Sequence, residues 1–538
     1  MIKYYLINSN FRGSRYGVGT YIRQMSEGLR STGKYDISYI NLFSNEKEYT
    51  ITHDRFGCVT YSIPSVDCDH EQYCRKVIYL LTRYIHNEEH IVFHFNFIHH
   101  DCMVNMLREY YTNCRIVLTV HYLQWCFELK GNYTRFKSIV RSYGQRNQKE
   151  NGVYSSYLAE QNFFCSCDEI IVLSEYTKSI LAMDYDISTE KMHLVYNGLN
   201  GKAEEYEKTT SNIILYVGRV DKIKGVEYLI HAFKRIVTKY TDYSLYIVGE
   251  GDYNKYMPLC ASIRDKVIFT GKLNYSELNE LYCKATIGVL PSFHEQCSYS
   301  AIEMLRHGLP LVITSSTGLK ETLREMPENI VSIPKGRFNR EKFVSSLANK
   351  MDYLLSDKVL RQKQSRQMCE IFKRRYTRSC MIKHFDSVIE KSFKRKDYVV
   401  PTDIYTLFDK KMFHYINQRP DFDLEYNGLA GIGVYLWYRI CLLRKKKDID
   451  SQVTLGELHE HMIYYLDWLW YYVQNEYNDD MIVCEELQYT LHDMNKCGFF
   501  KIRIKQLIKA FGIEDNVPCL YDGNDVMRNT IKICNCKI

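Results

Sequence analysis

The sequence predicts two consecutive α/β domains, each a doubly wound parallel sheet of Rossmann-like form, followed by an α-helical domain. Three observations carry that reading. Short apolar strands alternate with amphipathic stretches from the first residues onward. A polar, glycine-containing interruption, NGLNGKAEEYEKTTSN, then splits the alternation in two near residue 198. Beyond about residue 340 strand signals fade, and helical periodicity with charged faces runs through residue 396.

The first strands are IKYYLI, ISYINL, IVFHF, IVLTV, EIIVL and HLVY, separated by amphipathic segments such as residues 71 to 86 and 155 to 166. Short apolar runs alternating with such helices are the pattern of a parallel sheet covered on both faces. The pattern restarts with IILYVG, YSLYIVG, VIFT, TIGVLP and PLVIT. The expected domains are therefore residues 1 to 198, 199 to 396 and 397 to 538. Two doubly wound domains in tandem face each other across a cleft at the carboxyl edges of their sheets, where such sheets bind ligands. In the last region, LHEHMIYYLDWLWYYVQ carries apolar and aromatic residues over too wide an arc for a helix facing water, so burial against neighbours is expected.

Composition bounds the function. At 538 residues and 63.9 kDa the chain exceeds what one core serves. With 46% hydrophobic residues, 47 Tyr and only 9 Pro, it is a folded chain. The net charge of +7 is mild, with local concentrations at KSFKRKD and RKKKD, so no nucleic acid is implied. Acidic partners, such as phosphorylated metabolites or an anionic membrane surface, stay open. The start lacks a charged-then-apolar leader and no apolar run reaches about eighteen residues, which points to a cytoplasmic protein, at most peripheral at the inner face of a membrane. The 19 cysteines are then reduced thiols packing as small hydrophobes; none form CxxC, the closest pairs being Cys165 with Cys167 and Cys534 with Cys536, and no metal site is expected.

Three glycine-bearing stretches follow predicted strands: RYGVGTY with Gly17 and Gly19, YVGRVDKIKG, and IVGEGD with Gly249. Glycine lets a backbone approach phosphate oxygens, and a helix start offers unpaired N–H groups. Gly17 and Gly19 do not complete a GxGxxG, which disfavours a nicotinamide dehydrogenase. Arg219 and Lys224 place a fork donor and a point charge in one loop, a pair that suits a diphosphate, although a solvated basic loop is the alternative for that stretch alone.

In GVLPSFHEQCSYSAIEMLRHGLPLVIT, a buried strand leads through the exit loop His294 to Gln296 into a helix from Ser298 to His307. Ala301, Ile302 and Leu305 should face the sheet, and Glu295 and Glu303 should both look into the cleft. Backbone amides at Ser298, Tyr299 and Ser300 would receive an anion. Carboxylates accept hydrogen bonds from hydroxyls, which suits a ribose or a hexose. The Asp-x-Asp pairs at Asp67 and Asp69, and at Asp184 and Asp186, are read as solvated carboxylates.

On these residues the chain resembles the retaining GT-B glycosyltransferases of family 4, over about residues 1 to 395. E-x7-E across Glu295 and Glu303, HGLPLVITSSTGLKE, ILYVGRVDKIKGVEYLIHAF, LYIVGEGD, VYNGLN, CDEIIVLSEYTK, GVGTYIRQM and VLTVHY agree with the family in order and spacing. The resemblance implies that Arg219 and Lys224 hold the donor diphosphate, Glu303 the ribose and Glu295 the donor sugar hydroxyls, while His121 contacts the transferred sugar. It implies a nucleotide-diphosphate sugar as co-substrate, retention of anomeric configuration, and neither metal nor other cofactor. The acceptor would be a saccharide, a lipid-linked saccharide or a peptide. Gln296, Cys297, Ser298 and Tyr299 replace the usual small residues between the glutamates, and Gly318 precedes Leu319 where a Gly-Gly is common, which leaves sugar specificity open. A catalytically inactive scaffold acting through the helical domain is the alternative. A phosphorylase of the same fold would need a cofactor-bearing lysine, and Lys224 lacks that context.

The basic segment TRFKSIVRSYGQRNQK, residues 134 to 149, either contacts a phosphorylated lipid acceptor or anionic membrane, or is a charged solvent face. EYNGLAGIGVYLWY, residues 425 to 438, resembles the Gly-x-Ala-Gly-x-Gly signature of lanthionine cyclase-like helical barrels. That family's zinc ligands have no counterpart here, so the glycines are read as close helix-packing positions in an accessory or peptide-recruiting module.

Overall fold

In a computed structural model the chain divides into two compact units, Met1–Lys396 and Asp397–Ile538. The structure describes residues 1–9, 17–54, 57–87, 90–98, 101–111, 113–141, 147–203, 211–333, 338–394, 429–443, 449–475, 485–496 and 500–513.

The first sheet contains β1 (Ile2–Ser9), β2 (Tyr35–Ser44), β3 (Thr50–His53), β4 (Val59–Pro64), β5 (Ile91–Phe95), β6 (Cys114–Val120), β7 (Glu169–Val172) and β8 (Met192–Leu194), in the order β3-β4-β2-β1-β5-β6-β7-β8. Every pairing is parallel except β3 with β4. β5 and β7 are buried along their whole length, as a sheet covered on both faces requires. The β3–β4 edge is absent from the sequence reading because TITH is half polar and partly exposed; its partner strand, rather than its own pattern, makes it a strand. The helices are α1 (Gly17–Ser31), α2 (His70–Leu81), α3 (Asp101–Tyr110), α4 (Gln124–Glu128), α5 (Tyr133–Val140), α6 (Gln148–Ser166) and α7 (Glu175–Asp184).

The second sheet contains β9 (Ile213–Val217), β10 (Ser244–Val248), β11 (Val267–Gly271), β12 (Ile287–Leu290), β13 (Leu311–Thr314) and β14 (Ile330–Val331), in the order β11-β10-β9-β12-β13-β14 and all parallel. Strand order reverses between β9 and β12, so the crevice outside their carboxyl ends is the expected ligand position. α8 (Val226–Ile236), α9 (Tyr275–Lys284), α10 (Tyr299–Arg306), α11 (Thr317–Thr322), α12 (Arg340–Ser356) and α13 (Lys358–Ile371) accompany it. Gly225, which precedes α8, has φ +72°, and a Cβ there would stand 2.2 Å from the Pro291 carbonyl oxygen. The loop leaving β9 is thus seated directly on the exit of β12.

The last helix of this unit, α14 (Arg378–Lys394), follows the second sheet in the chain yet packs into the first half, against α1. Phe385 stacks on His94 at 5.4 Å and meets Tyr4 edge-on at 6.0 Å. Gly28 of α1 admits Ile382, whose Cγ1 would lie 2.5 Å from a Cβ there. Lys34 bridges Asp386 and Glu390 at 2.6 and 2.7 Å. Long-range packing of this kind leaves no signal in local periodicity.

The second unit contains the helices Leu429–Leu443, Ile449–Asn475, Glu485–Lys496 and Lys501–Ala510. Its core gathers Leu436, Leu458, Tyr465, Leu469, Leu491 and Leu507. Gly433 lets Tyr465 and Met494 close on the first of these helices, their side-chain ends lying 2.4 and 2.9 Å from where a Cβ would be. Residues 425–428 of the glycine motif lie outside the described residues. The aromatic helix is buried against its neighbours through Leu458, Met462, Tyr465, Leu466, Trp468 and Leu469, while Ile463, Trp470 and Tyr471 are exposed. Among the described residues no helix is long and apolar enough to cross a membrane.

Gly225→Ala should destabilise the first unit by about 1–3 kcal/mol, because it adds a contact with Pro291 to the cost of a left-handed φ. Gly33, with φ +69° and nothing within 4 Å, isolates the second term. Urea midpoints should therefore fall further for Gly225→Ala than for Gly33→Ala.

Candidate active site

The loop leaving β12 is held from several sides. The Glu295 N–H donates to Thr317 Oγ1 at 2.9 Å, and the Glu295 carbonyl accepts from the Gly318 N–H at 2.8 Å and from the Thr317 hydroxyl. A Cβ at Gly318 would lie 1.5 Å from the Gln296 carbonyl oxygen, so only glycine fits at the start of α11. The Glu295 side chain receives the Lys224 ammonium at 2.5 Å and the Ser292 hydroxyl at 3.1 Å. Lys224 ends a single 3-10 turn, Lys222–Lys224, capped by Asp221, whose carboxylate accepts the Lys224 N–H at 3.1 Å. Both ends of the ion pair are mostly shielded, with side-chain exposures of 17% and 15%.

Arg219 lies one loop away, its guanidinium 3.3 Å from Asp221. The buried Tyr216 hydroxyl donates to the Arg219 carbonyl at 2.6 Å and feels the charges of Asp221, Glu295 and Arg219. Arg219 borders a hollow of about 270 Å³ with Lys222, Glu250, Asp252 and Lys255. Gly249, at φ +137°, brings the end of β10 against this loop: a Cβ would be 2.0 Å from the Gly218 carbonyl oxygen.

At the start of α10, the Ser298 hydroxyl caps the Ala301 N–H at 3.4 Å. The first helical bond runs from Ile302 N–H to the Ser298 carbonyl at 3.1 Å, so the Tyr299 and Ser300 amides precede it and point out of the helix end. Gly17 opens α1 across from this point; a Cβ there would touch the Tyr299 ring at 4.0 Å. Gly19 follows in the first turn of α1. The Tyr299 hydroxyl is buried with no hydrogen-bond partner among the described residues. Its neighbour Tyr21 meets His121 edge-on at 4.7 Å, which joins the start of α10 to the end of β6.

His121 Nε2 lies 3.1 Å from Asn96 Oδ1, and Asn96 Nδ2 donates to the Ile7 carbonyl at 3.3 Å. That second bond orients the amide, so Nε2 must carry the proton and Nδ1 is left as an acceptor. Burial lowers the His121 pKa to about 3, and that of His94, bonded to Tyr4 and Thr119, to about 3. His294 was not singled out in the sequence; its only signal is adjacency to Glu295. Both its ring nitrogens are buried with no hydrogen-bond partner among the described residues, its pKa is lowered by burial to about 4, and a Cβ at Gly131 of the first half would lie 3.5 Å from its Cβ.

The halves are latched beside this loop. Gln296 Oε1 accepts from the Ser174 hydroxyl at 3.1 Å and from the Thr177 hydroxyl, and Asn197 Nδ2 donates to the Cys297 carbonyl at 2.7 Å. The Glu321 carboxylate accepts the first N–H groups of α7, from Glu175 and Tyr176, each at 2.9 Å. That places an anion at a helix N-terminus.

The Glu303 carboxylate accepts the Tyr282 hydroxyl at 2.6 Å, burial raises its pKa, and it lines a hollow of about 410 Å³ with Arg23 of the first half and with Asn279 and Arg306. Asp184, expected to be solvated, is not: its carboxylate, 2% exposed, takes Arg141 at 3.2 Å and the Tyr133 hydroxyl at 2.5 Å. Within the basic segment, Arg135 also pairs with Glu150 at 3.0 Å, while residues 142–146 lie outside the described residues.

Residues 16–201 match the family model described as Glycosyltransferase Family 4, and residues 211–357 match that described as Glycosyl transferases group 1. An uncharacterized glycosyltransferase of Methanocaldococcus jannaschii is 31% identical over 212 residues, 36% of this chain and 52% of the relative. The O-antigen chain mannosyltransferase RfbU of Salmonella typhimurium is 27% identical over 216 residues, 39% of this chain and 59% of the relative. The chain thus spans about half the length of the curated relatives it matches. Sucrose-phosphate synthase from Thermosynechococcus elongatus superimposes with a TM-score of 0.56 at 18% identity, covering 73% of this chain and 100% of that one. WaaG, a glycosyltransferase involved in lipopolysaccharide biosynthesis, does so at 0.52 and 14%, covering 72% and 99%. The fold is GT-B: two Rossmann-like domains, here with a helical C-terminal region.

A histidine whose folded pKa lies below its unfolded value loses stability as pH falls, because the unfolded chain takes the proton first. His121 and His294, at about 3 and about 4 against an ordinary 6.5, act in that sense between about pH 6.5 and 4. Glu160, raised by burial to about 7, acts oppositely. His121→Gln and His294→Gln should each flatten the acid limb of stability against pH by one proton, about 1.4 kcal/mol per pH unit. Urea unfolding across that range measures it; an unchanged slope would mean the ring is already charged when folded.

Proposed function

We propose that this chain, matched over both halves of its GT-B region by glycosyltransferase family models, moves a sugar from a nucleotide-diphosphate sugar to an acceptor hydroxyl. The observation that carries the reading is the Lys224–Glu295 pair at the strand-order reversal, beside the free amides that open α10. Cations and amides there suit a diphosphate, and a carboxylate fixed against them suits sugar hydroxyls. Lys224 and Arg219 exchange their carboxylate partners for phosphate oxygens when the donor enters, which frees Glu295 for the sugar. His121, neutral and with Nδ1 open, accepts a hydroxyl of the transferred sugar.

In the reaction the bond from the anomeric carbon to the diphosphate oxygen breaks and a bond to the acceptor oxygen forms. The acceptor proton passes to the departing diphosphate, since His121, at a pKa of about 3, holds a proton too weakly to act as the base. Stabilising the departing diphosphate is then the main task of Lys224, Arg219 and the helix amides. Retention of configuration and independence of a catalytic metal rest on the resemblance to family 4. Glu303 holding the ribose rests on the same resemblance, and its hollow with Arg23 and Arg306 leaves room for the nucleoside end of the donor. The acceptor is a saccharide, a lipid-linked saccharide or a peptide. The named relatives include a mannosyltransferase and a kanosaminyltransferase, so the donor sugar is not narrowed further.

Full-length protein incubated with a panel of nucleotide-linked hexoses should release nucleoside diphosphate from one of them, measured chromatographically. Lys224→Ala and Glu295→Ala should each lower that rate by roughly 100- to 1,000-fold. The matching donor at about 100 times its dissociation constant should stabilise the fold by about 2.7 kcal/mol. No turnover and no stabilisation with any donor would favour the scaffold alternative.

A further inference from the structure

The sequence carries no CxxC, yet the fold brings a histidine and a cysteine one helical turn apart to a second cysteine 28 residues further along the chain. His70 and Cys74 stand one turn apart on α2, and Cys102 lies in the first turn of α3. Cys74 Sγ is 3.7 Å from His70 Nε2 and 3.1 Å from Cys102 Sγ, and all three ligand atoms lie within 4.8 Å of one another. We propose that His70, Cys74 and Cys102 bind a thiophilic divalent cation, zinc foremost, as a clasp between α2 and α3.

The donor set is two thiolates and an imidazole, which selects zinc over calcium or magnesium. Zinc held at about 2.3 Å from sulfur and 2.0–2.1 Å from nitrogen spans tetrahedral edges of about 3.6–3.8 Å. Cys74 and His70 already stand at that separation, and the two sulfurs need part by well under 1 Å. Water completes the coordination. Binding displaces both thiol protons to solvent, so the two thiolates cancel the ion's charge and the site is neutral. Phe43 stacks on Tyr73 at 4.2 Å and on the His70 ring at 6.4 Å, a shelf that orients the imidazole toward the sulfurs. The clasp is structural: it joins two crossover helices of the first sheet and takes no part in sugar transfer.

Reduced, chelator-stripped full-length protein titrated with cobalt should develop a thiolate-to-cobalt charge-transfer band at one ion per chain, abolished by added zinc. Cys102→Ser and Cys74→Ser should each remove it, and Cys380→Ser should keep it. His70→Gln, at an exposed first-turn position, should weaken zinc binding by more than the 10- to 100-fold that outer-shell partners command, even where the cysteine variants fail to fold. Absence of the band in the parent chain overturns the assignment. So does a band surviving Cys102→Ser in folded protein, unchanged affinity in His70→Gln, or a Cys74–Cys102 disulfide trapped by alkylation of the chain as isolated from cells.

Discussion

The loop that leaves β12 passes through a gap with almost no spare volume, and its neighbours are chosen accordingly. Gly225 meets it at the Pro291 carbonyl, Gly318 at the Gln296 carbonyl and Gly131 at the Phe293 carbonyl, with would-be Cβ distances of 2.2, 1.5 and 3.4 Å. Side chains on the first two would displace backbone rather than a flexible tip. Close packing of this loop fixes where Glu295 and the start of α10 stand.

Within the frame so set, charge is arranged to be exchanged. A shielded ion pair such as Lys224 with Glu295 gains little net stability, because desolvation offsets most of the attraction. Its value is positional: each partner holds the other at the exit of β12. Asp221 plays the same part for Arg219. The unpartnered polar atoms of His294 and Tyr299 lie along the same loop, and a buried polar atom without a partner is costly. A ligand rich in hydroxyls and phosphate oxygens relieves that cost.

The departures from the family pattern acquire a physical reason. Gln296 stands where the resembled family has a small residue, and its amide oxygen is taken by two hydroxyls of the first half, a latch between the halves. Glu321 adds a second latch through the N-terminus of α7. Both sit at or beside the loop bearing Glu295, so any opening of the halves is felt at the Lys224–Glu295 pair.

The strand cores were legible in the residue pattern, as were the glycine turns and the loop carrying Arg219 and Lys224, because each depends on neighbours within a few residues: burial on both faces makes an apolar run, and a tight turn demands glycine. The edge strand β3, the return of α14 to the first half and the burial of Asp184 were not. β3 is made a strand by its pairing with β4, and the other two depend on partners far along the chain, such as Arg141 for Asp184, which no local period encodes. By itself the sequence determined most of the strand cores, where the backbone must bend, and which charged and polar residues the loops at the strand ends carry. Only the tertiary structure decided which of those residues meet, since packing two sheets and a returning helix brings together atoms whose chain separation carries no periodic trace.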